Sequence, residues 1–144
     1  MSVPAAISLV TLGVRDVAAS TRFYEALGFP LSPGSVDGEV SFFHTAGALL
    51  GLFGRDDLAT DAQTVAGDAE GFRGVSVSIN VESPQAVDTA LNAAAAAGAR
   101  IPKPGRSTEW GGYSGYFADP DGHLWEVAHN PFWPLGPDGL PQLP

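Results

Sequence analysis

The chain repeats itself: a strand, a capped helix ended by glycine, and a pair of strands occur once before residue 55 and again after residue 71. In the first pass, "ISLVTLGVRD" (7–16) is rich in β-branched and apolar residues and predicts a strand ending near Gly13. Asp16 is placed to cap a helix in which Val17, Ser20, Tyr24 and Leu27 recur at helical spacing with Phe23 beside them, and Gly28 supplies a left-handed stop. "VSFFHTAG" and "ALLGLFG" (40–54) are two short apolar runs hinged near Thr45 to Gly47, which predicts a hairpin. In the second pass, "GVSVSINVE" (74–82) predicts a strand, Ser83 a cap, and Pro84 a first-turn proline. Val87, Leu91 and Ala94 mark the buried side of the following helix, which Gly98 ends. "GGYSGYFA" and "HLWEVAHN" are then joined by Asp119-Pro120-Asp121-Gly122, a sequence whose proline, aspartates and glycine each suit one position of a tight turn.

A duplicated module should superpose its turns and strands under a constant shift. The shift that carries Gly47 onto Gly122 also carries Gly51 onto Glu126, in the last strand of each half. A second shift carries Val14 onto Val81, Asp16 onto Ser83 and Leu9 onto Ser76. The expected organisation is one domain over 1–144, made of module 1 (5–54), an acidic, weakly patterned loop or linker (55–71), module 2 (72–130) and a proline-rich tail (131–144). Residues 31–37 and 100–109 leave room for a third strand in each module.

Sixteen acidic against seven basic side chains give a net charge of -9, with no basic cluster, so nucleic acid and anionic membrane are not expected partners. No apolar stretch approaches the roughly 20 residues that span a bilayer, and the first residues lack a secretory pattern. With no cysteine in the chain, the expectation is a soluble cytoplasmic protein.

"TLGVRDVAASTRFYEALGF", "GVSVSINVESPQAVDTAL" and "DPDGHLWEV" together resemble the vicinal oxygen chelate superfamily, which includes glyoxalases, extradiol dioxygenases, fosfomycin-modifying enzymes and bleomycin-binding proteins. The resemblance runs from about residue 7 to 131 and implies an α+β fold: two tandem βαβββ modules forming a curled mixed sheet around a cleft, often completed by a homodimer. One such scaffold hosts many chemistries, so the site has to carry the function.

In metal-dependent members of that superfamily, four side chains from the first and last strands of the modules converge on a divalent ion. Here the corresponding positions are Leu9, Gly51, Ser76 (or its neighbour Val75) and Glu126. Leucine and glycine side chains have no donor atom and a neutral serine hydroxyl is a poor one, so no metal and no other cofactor is expected. His123 and His129 fall on the strand face opposite Glu126, which shares its face with Leu124 and Ala128, while His44 sits at the hairpin end of module 1. A carboxylate facing a cleft without a cation is expected to act as a proton donor or hydrogen-bond partner to a ligand, or simply to bond a neighbouring hydroxyl.

Half of the aromatic residues fall between Trp110 and Trp133. Trp125, opposite Glu126, is expected to pack against a helix. Trp110 and Tyr113, flanking Gly111 and Gly112, are expected to line the cleft with Tyr116 and Phe43, where a flat apolar ligand could stack. Phe132 and Trp133 would anchor the tail on the surface or on a second subunit. Two readings follow. One is a metal-independent protein of the bleomycin-resistance type that sequesters an aromatic or cationic small molecule. The other is a glyoxalase-like lyase, isomerase or dioxygenase with Glu126 as acid, base or residual metal ligand.

Overall fold

The computed structural model describes residues 2–67 and 71–144 and divides the chain into two compact units, Met1–Gly67 and Asp68–Pro144. The first contains β1 (Leu9–Val14), α1 (Val17–Ala26), β2 (Val40–Phe43), β3 (Leu49–Gly54) and α2 (Arg55–Asp61). The second contains β4 (Ser76–Asn80), α3 (Pro84–Ala96), β5 (Arg100–Ser107), β6 (Tyr113–Ala118) and β7 (Leu124–His129). The fold is α+β with a mixed sheet in each unit, ordered β1-β3-β2 and β4-β7-β6-β5. In both, the first strand lies parallel to the last, and the strands between them in sequence pair antiparallel.

Both long helices begin and end by the same local chemistry. Asp16 Oδ1 accepts from the Ala19 N–H at 3.0 Å and Ser83 Oγ from the Ala86 N–H at 3.1 Å, so each side chain satisfies a donor the helix itself leaves unpaired. Gly28 and Gly98 adopt φ of +98° and +107°, which turns the chain so that Phe29 N–H reaches Tyr24 C=O and Ala99 N–H reaches Ala94 C=O. This is the Schellman arrangement. In the first unit it is reinforced by the Tyr24 and Phe29 rings, 5.8 Å apart.

The first core forms where α1 lays Phe23 and Tyr24 on the sheet. Tyr24, Phe43, Leu52 and Val14 are fully buried, and the Tyr24 ring is edge-on to Phe23 at 5.0 Å and 6.0 Å from Phe43. Thr21 and Ser41 bury their hydroxyls against each other at 2.7 Å. Ser20, beside them and only 1% exposed, has a hydroxyl with no hydrogen-bond partner. An unmet buried hydroxyl is costly and alanine is the better helix former, so Ser20→Ala is expected to raise stability by about 1 kcal/mol. Chemical denaturation checks it; a loss of stability would mean that this hydroxyl is satisfied in solution.

Two stretches differ from the sequence-based expectation. The segment read as a loop or linker begins with α2, whose Asp56 and Asp57 lie in the first turn, where acidic side chains complement the helix dipole. No residue of α2 is buried, so the apolar spacing that would have predicted it is missing. Residues 68–70 of that linker lie outside the described residues. The space left for a third strand is filled differently in the two units. Residues 31–36 follow the edge of β2 only through the bridges Leu31↔Phe43 and Val36↔Val40, and Ser35 Oγ takes the Phe42 N–H at 2.9 Å in place of a backbone carbonyl. Residues 100–107 form the full strand β5, despite Pro102 and Pro104, because β5 is an edge strand where a missing donor is tolerated.

In the second unit α3 presents Val87, Leu91 and Ala94 to the sheet, crossing β5, β6 and β7. Trp125 is 4% exposed and stacks parallel on Phe117 across the strand pair, with centroids 5.9 Å apart, as expected for a residue packed on the helix side. The turn after β6 is tied by Asp119, whose Oδ1 accepts the N–H groups of Asp121 and His123 at 2.9 and 2.8 Å, while Gly122 takes φ +83°. Among the described residues no helix is long and apolar enough to cross a membrane.

Candidate binding site

The register of the second sheet lines up four polar side chains. Ser78 of β4 pairs with Glu126 of β7, Glu126 with Tyr116 of β6, and Tyr116 with Lys103 of β5. Directly opposite residues share a face, so these four form one row across the sheet on the side away from Phe117, Trp125 and Val127. The Ser78 hydroxyl donates to Glu126 Oε1 at 3.0 Å, and the Tyr116 phenol makes a long contact with Glu126 Oε2 at 3.5 Å. Lys103 Nζ stands 5.9 Å from the centre of the Tyr116 ring, at the outer range of a cation–π contact. Glu126 is half-buried, and its carboxylate keeps further acceptor capacity beyond these two hydroxyls.

Burial pushes the Tyr116 phenol above its ordinary pKa, with the Glu126 charge and hydrogen bond adding to the effect. Tyr113 is raised as well, chiefly by its hydrogen bond to Asp88 on α3, at 2.9 Å. Both phenols therefore stay protonated, as donors to carboxylates, beyond the usual value of about 10. Since the folded state favours the protonated phenol, this contribution to stability is complete below about pH 10 and disappears as pH rises through the raised pKa. Near-ultraviolet titration of tyrosinate should show Tyr116 ionising late, and Glu126→Gln should move it back toward the ordinary value. An unchanged Tyr116 titration in that variant would contradict the coupling.

The residues expected at a cleft separate into two groups. Glu126 and Tyr116 are in the row, and Ser76 lies on the same face of β4 but pairs with Leu124, so the hydroxyl that reaches the carboxylate is that of Ser78. Tyr113 does not join them: it is three residues from Tyr116, hence on the opposite face, bonded to Asp88 of α3. Phe43 is likewise not a wall of an open site but is completely buried under α1 with Tyr24 and Phe29. Trp110, 47% exposed, lies in the loop before β6 and folds over Gly112, where any Cβ would collide with its ring. Leu9 and Gly51 belong to the first unit, where Thr11 and Phe42 are the direct neighbours of Gly51 and the Leu9 methyl lies 3.2 Å from where a Gly51 Cβ would stand. His129 Nδ1 lies 3.2 Å from the Val81 carbonyl oxygen.

Sequence reasoning missed Ser78 and Lys103. Ser78 was accessible in principle, since it shares the strand face of Ser76. Lys103 was hidden between two prolines that argue against a strand.

Of the four positions to which the resemblance assigns metal ligands, Leu9 and Gly51 have no side-chain donor atom, while Ser76 offers a neutral hydroxyl and Glu126 a carboxylate. No group of three or more His, Cys, Asp or Glu side chains suited to a metal ion occurs among the described residues. The first unit also contains a cavity of about 580 Å³ at the ends of β1 and β3, lined by Arg15, Asp16, Glu39, Phe53 and Asp57 among others; none of the sequence-predicted site residues reaches it.

Two strand–helix–sheet units, each with its first strand parallel to its last and a capped helix between, define the glyoxalase class of fold. The chain belongs to the Glyoxalase/Bleomycin resistance protein/Dioxygenase superfamily, whose family model matches residues 6–127. Among solved structures, a glyoxalase-related enzyme from Fulvimarina pelagi is 34% identical with a TM-score of 0.83, covering 96% of this chain and 98% of its own. A glyoxalase/bleomycin resistance protein/dioxygenase from Nocardioides is 29% identical with a TM-score of 0.71, covering 90% of this chain and 85% of its own. A lactoylglutathione lyase from Agrobacterium tumefaciens, at 23% identity and a TM-score of 0.68 over 91% of this chain and 98% of its own, shares the fold. No curated protein matches the chain.

Proposed function

We propose that the protein binds a small organic molecule, aromatic or cationic, on the face of the β4–β7 sheet opposite α3, with Glu126 as the polar anchor and no resident metal. The observation that carries this reading is the Glu126 carboxylate itself: half-buried, oriented by Ser78 and Tyr116, and with no cationic partner in an ion pair among the described residues. The Ser78 hydroxyl sets the carboxylate's direction, with the Tyr116 phenol at the outer limit of contact, and lone pairs are left for a ligand donor. Sequestration without turnover, in the cytoplasm and as a homodimer, completes the proposal. A screen of small molecules by tryptophan fluorescence tests it, with Glu126→Gln as the control. Loss of a hydrogen bond to a charged group is worth about 1.5–3 kcal/mol, so the variant should bind hits roughly 10- to 100-fold more weakly. Hits that ignore the substitution, or a stoichiometric divalent ion in protein purified without chelator, would overturn the reading.

A second reading is favoured by Lys103 and Tyr116. Acid–base chemistry at Glu126 needs neighbouring donors to stabilise developing negative charge, and the register supplies an ammonium and a phenol in the same row. Support for it also comes from the Fulvimarina pelagi protein, which is described as a glyoxalase-related enzyme. Turnover lost in Glu126→Gln with ligand binding retained would decide for catalysis.

A further inference from the structure

We infer that the ligand of the Glu126 row is a zwitterion, carrying an ammonium for Glu126 and a carboxylate or similar anion for Lys103; this rests on the reading of that row as the binding face. The pairing register places Lys103 and Glu126 at the two sides of Tyr116. Adjacent strands lie about 4.8 Å apart, so the two backbone positions are separated by roughly 10 Å. The opposite charges do not meet: neither residue is in an ion pair with the other, and the Lys103 ammonium has the Tyr116 ring face as its contact. An ammonium has three N–H donors and a ring face replaces none of them as an acceptor. On the other side, each Glu126 oxygen accepts from one hydroxyl and has room for another donor.

The consequence is a dipolar strip with one charge of each sign that has no oppositely charged partner among the described residues. A ligand bearing only a positive group would satisfy Glu126 while placing its charge near the Lys103 ammonium, and a ligand bearing only a negative group would meet the Glu126 carboxylate. Like charges at that spacing in a partly desolvated site repel, whereas a ligand with both charges in matching order is attracted at both ends. The flexible four-carbon stem of Lys103 lets its ammonium follow ligands of somewhat different length, and Tyr116 offers a flat surface between the two charges.

The test uses 4-(aminomethyl)benzoate as the zwitterionic probe, with benzylamine and benzoate as single-charge controls, titrated into the full-length protein and followed by tryptophan fluorescence and by ligand-observed NMR. The zwitterion should bind about tenfold or more tighter than either control. Lys103→Met, which keeps the length of the stem, should reduce it to the affinity of benzylamine, and Glu126→Gln should reduce it to that of benzoate; circular dichroism confirms that both variants are folded. Benzylamine binding as tightly as the zwitterion, a Lys103→Met variant that keeps the preference, or no binding by any of the three at millimolar concentration overturns the zwitterion assignment. The first two of those outcomes, with Glu126→Gln still weakening binding, leave the parent reading standing. Ligands from the wider screen that bind independently of Glu126 remove both.

Discussion

Replacing Gly115 with alanine is expected to destabilise the protein by about 3 kcal/mol, although the added group is a single methyl. Gly115 lies in β6 opposite Val127, on the side that faces α3. A Cβ there would stand 2.6 Å from the Leu91 methyl, 2.8 Å from the Lys103 carbonyl oxygen and 2.9 Å from the Gly105 nitrogen. Two of these three atoms are backbone, so a rotamer change in Leu91 cannot relieve the clash, and β5 itself must move. The contact falls where β5 shifts register against β6, between Lys103 and Arg106. The absent side chain is what lets the edge strand bulge inward at that point. Because the same bulge sets the position of Lys103, the variant should also lose the part of ligand affinity that depends on the ammonium. Thermal or denaturant unfolding measures the first effect; a midpoint equal to that of the parent protein would mean that β5 slides freely and that its register is not held by packing.

Phe43→Ala is expected to cost about 3–5 kcal/mol, the usual range for removing a buried phenylalanine ring. The ring has no exposure and fills the space between Tyr24, at 6.0 Å, and Phe29, at 6.4 Å. Those partners are held in place by the helix stop at Gly28, so the cavity left behind can collapse little. In a chain of this size such a loss corresponds to a fall in Tm of about 10 °C or more. The folded fraction should bind ligands at the Glu126 row with unchanged affinity, because Phe43 packs within the other unit. The opposite pattern, weaker binding at unaltered Tm, would return Phe43 to the ligand site that its place in "VSFF" first implied.

The error over Phe43, and the one over Tyr113, have a common origin. Both residues were assigned from aromatic character, Tyr113 also from its place beside Gly112, whereas the face a strand residue occupies follows from its parity relative to a neighbour of known orientation. Tyr113 is an odd number of positions from Tyr116, and its hydroxyl accordingly reaches Asp88 on α3. Alternation applied to β7 gave the correct sides for Trp125 and Glu126 because the buried pair Trp125 and Val127 leaves no ambiguity. No such pair is evident from the sequence around Tyr113, where small residues occupy both faces of β6.

What the amino-acid order determined by itself is everything that depends on neighbours within about four positions: the caps at Asp16 and Ser83, the glycine stops at Gly28 and Gly98, the Asp119 turn, and the doubling of the unit. These are short-range contacts, written in side chains that are close along the chain as well as in space. Only the tertiary structure decided that Ser78 rather than Ser76 reaches Glu126, a residue 48 positions away, and that a lysine between two prolines completes the row from an edge strand. Lateral strand pairing sets which distant residues stand opposite one another, and it is settled by packing α3 over the whole sheet at once.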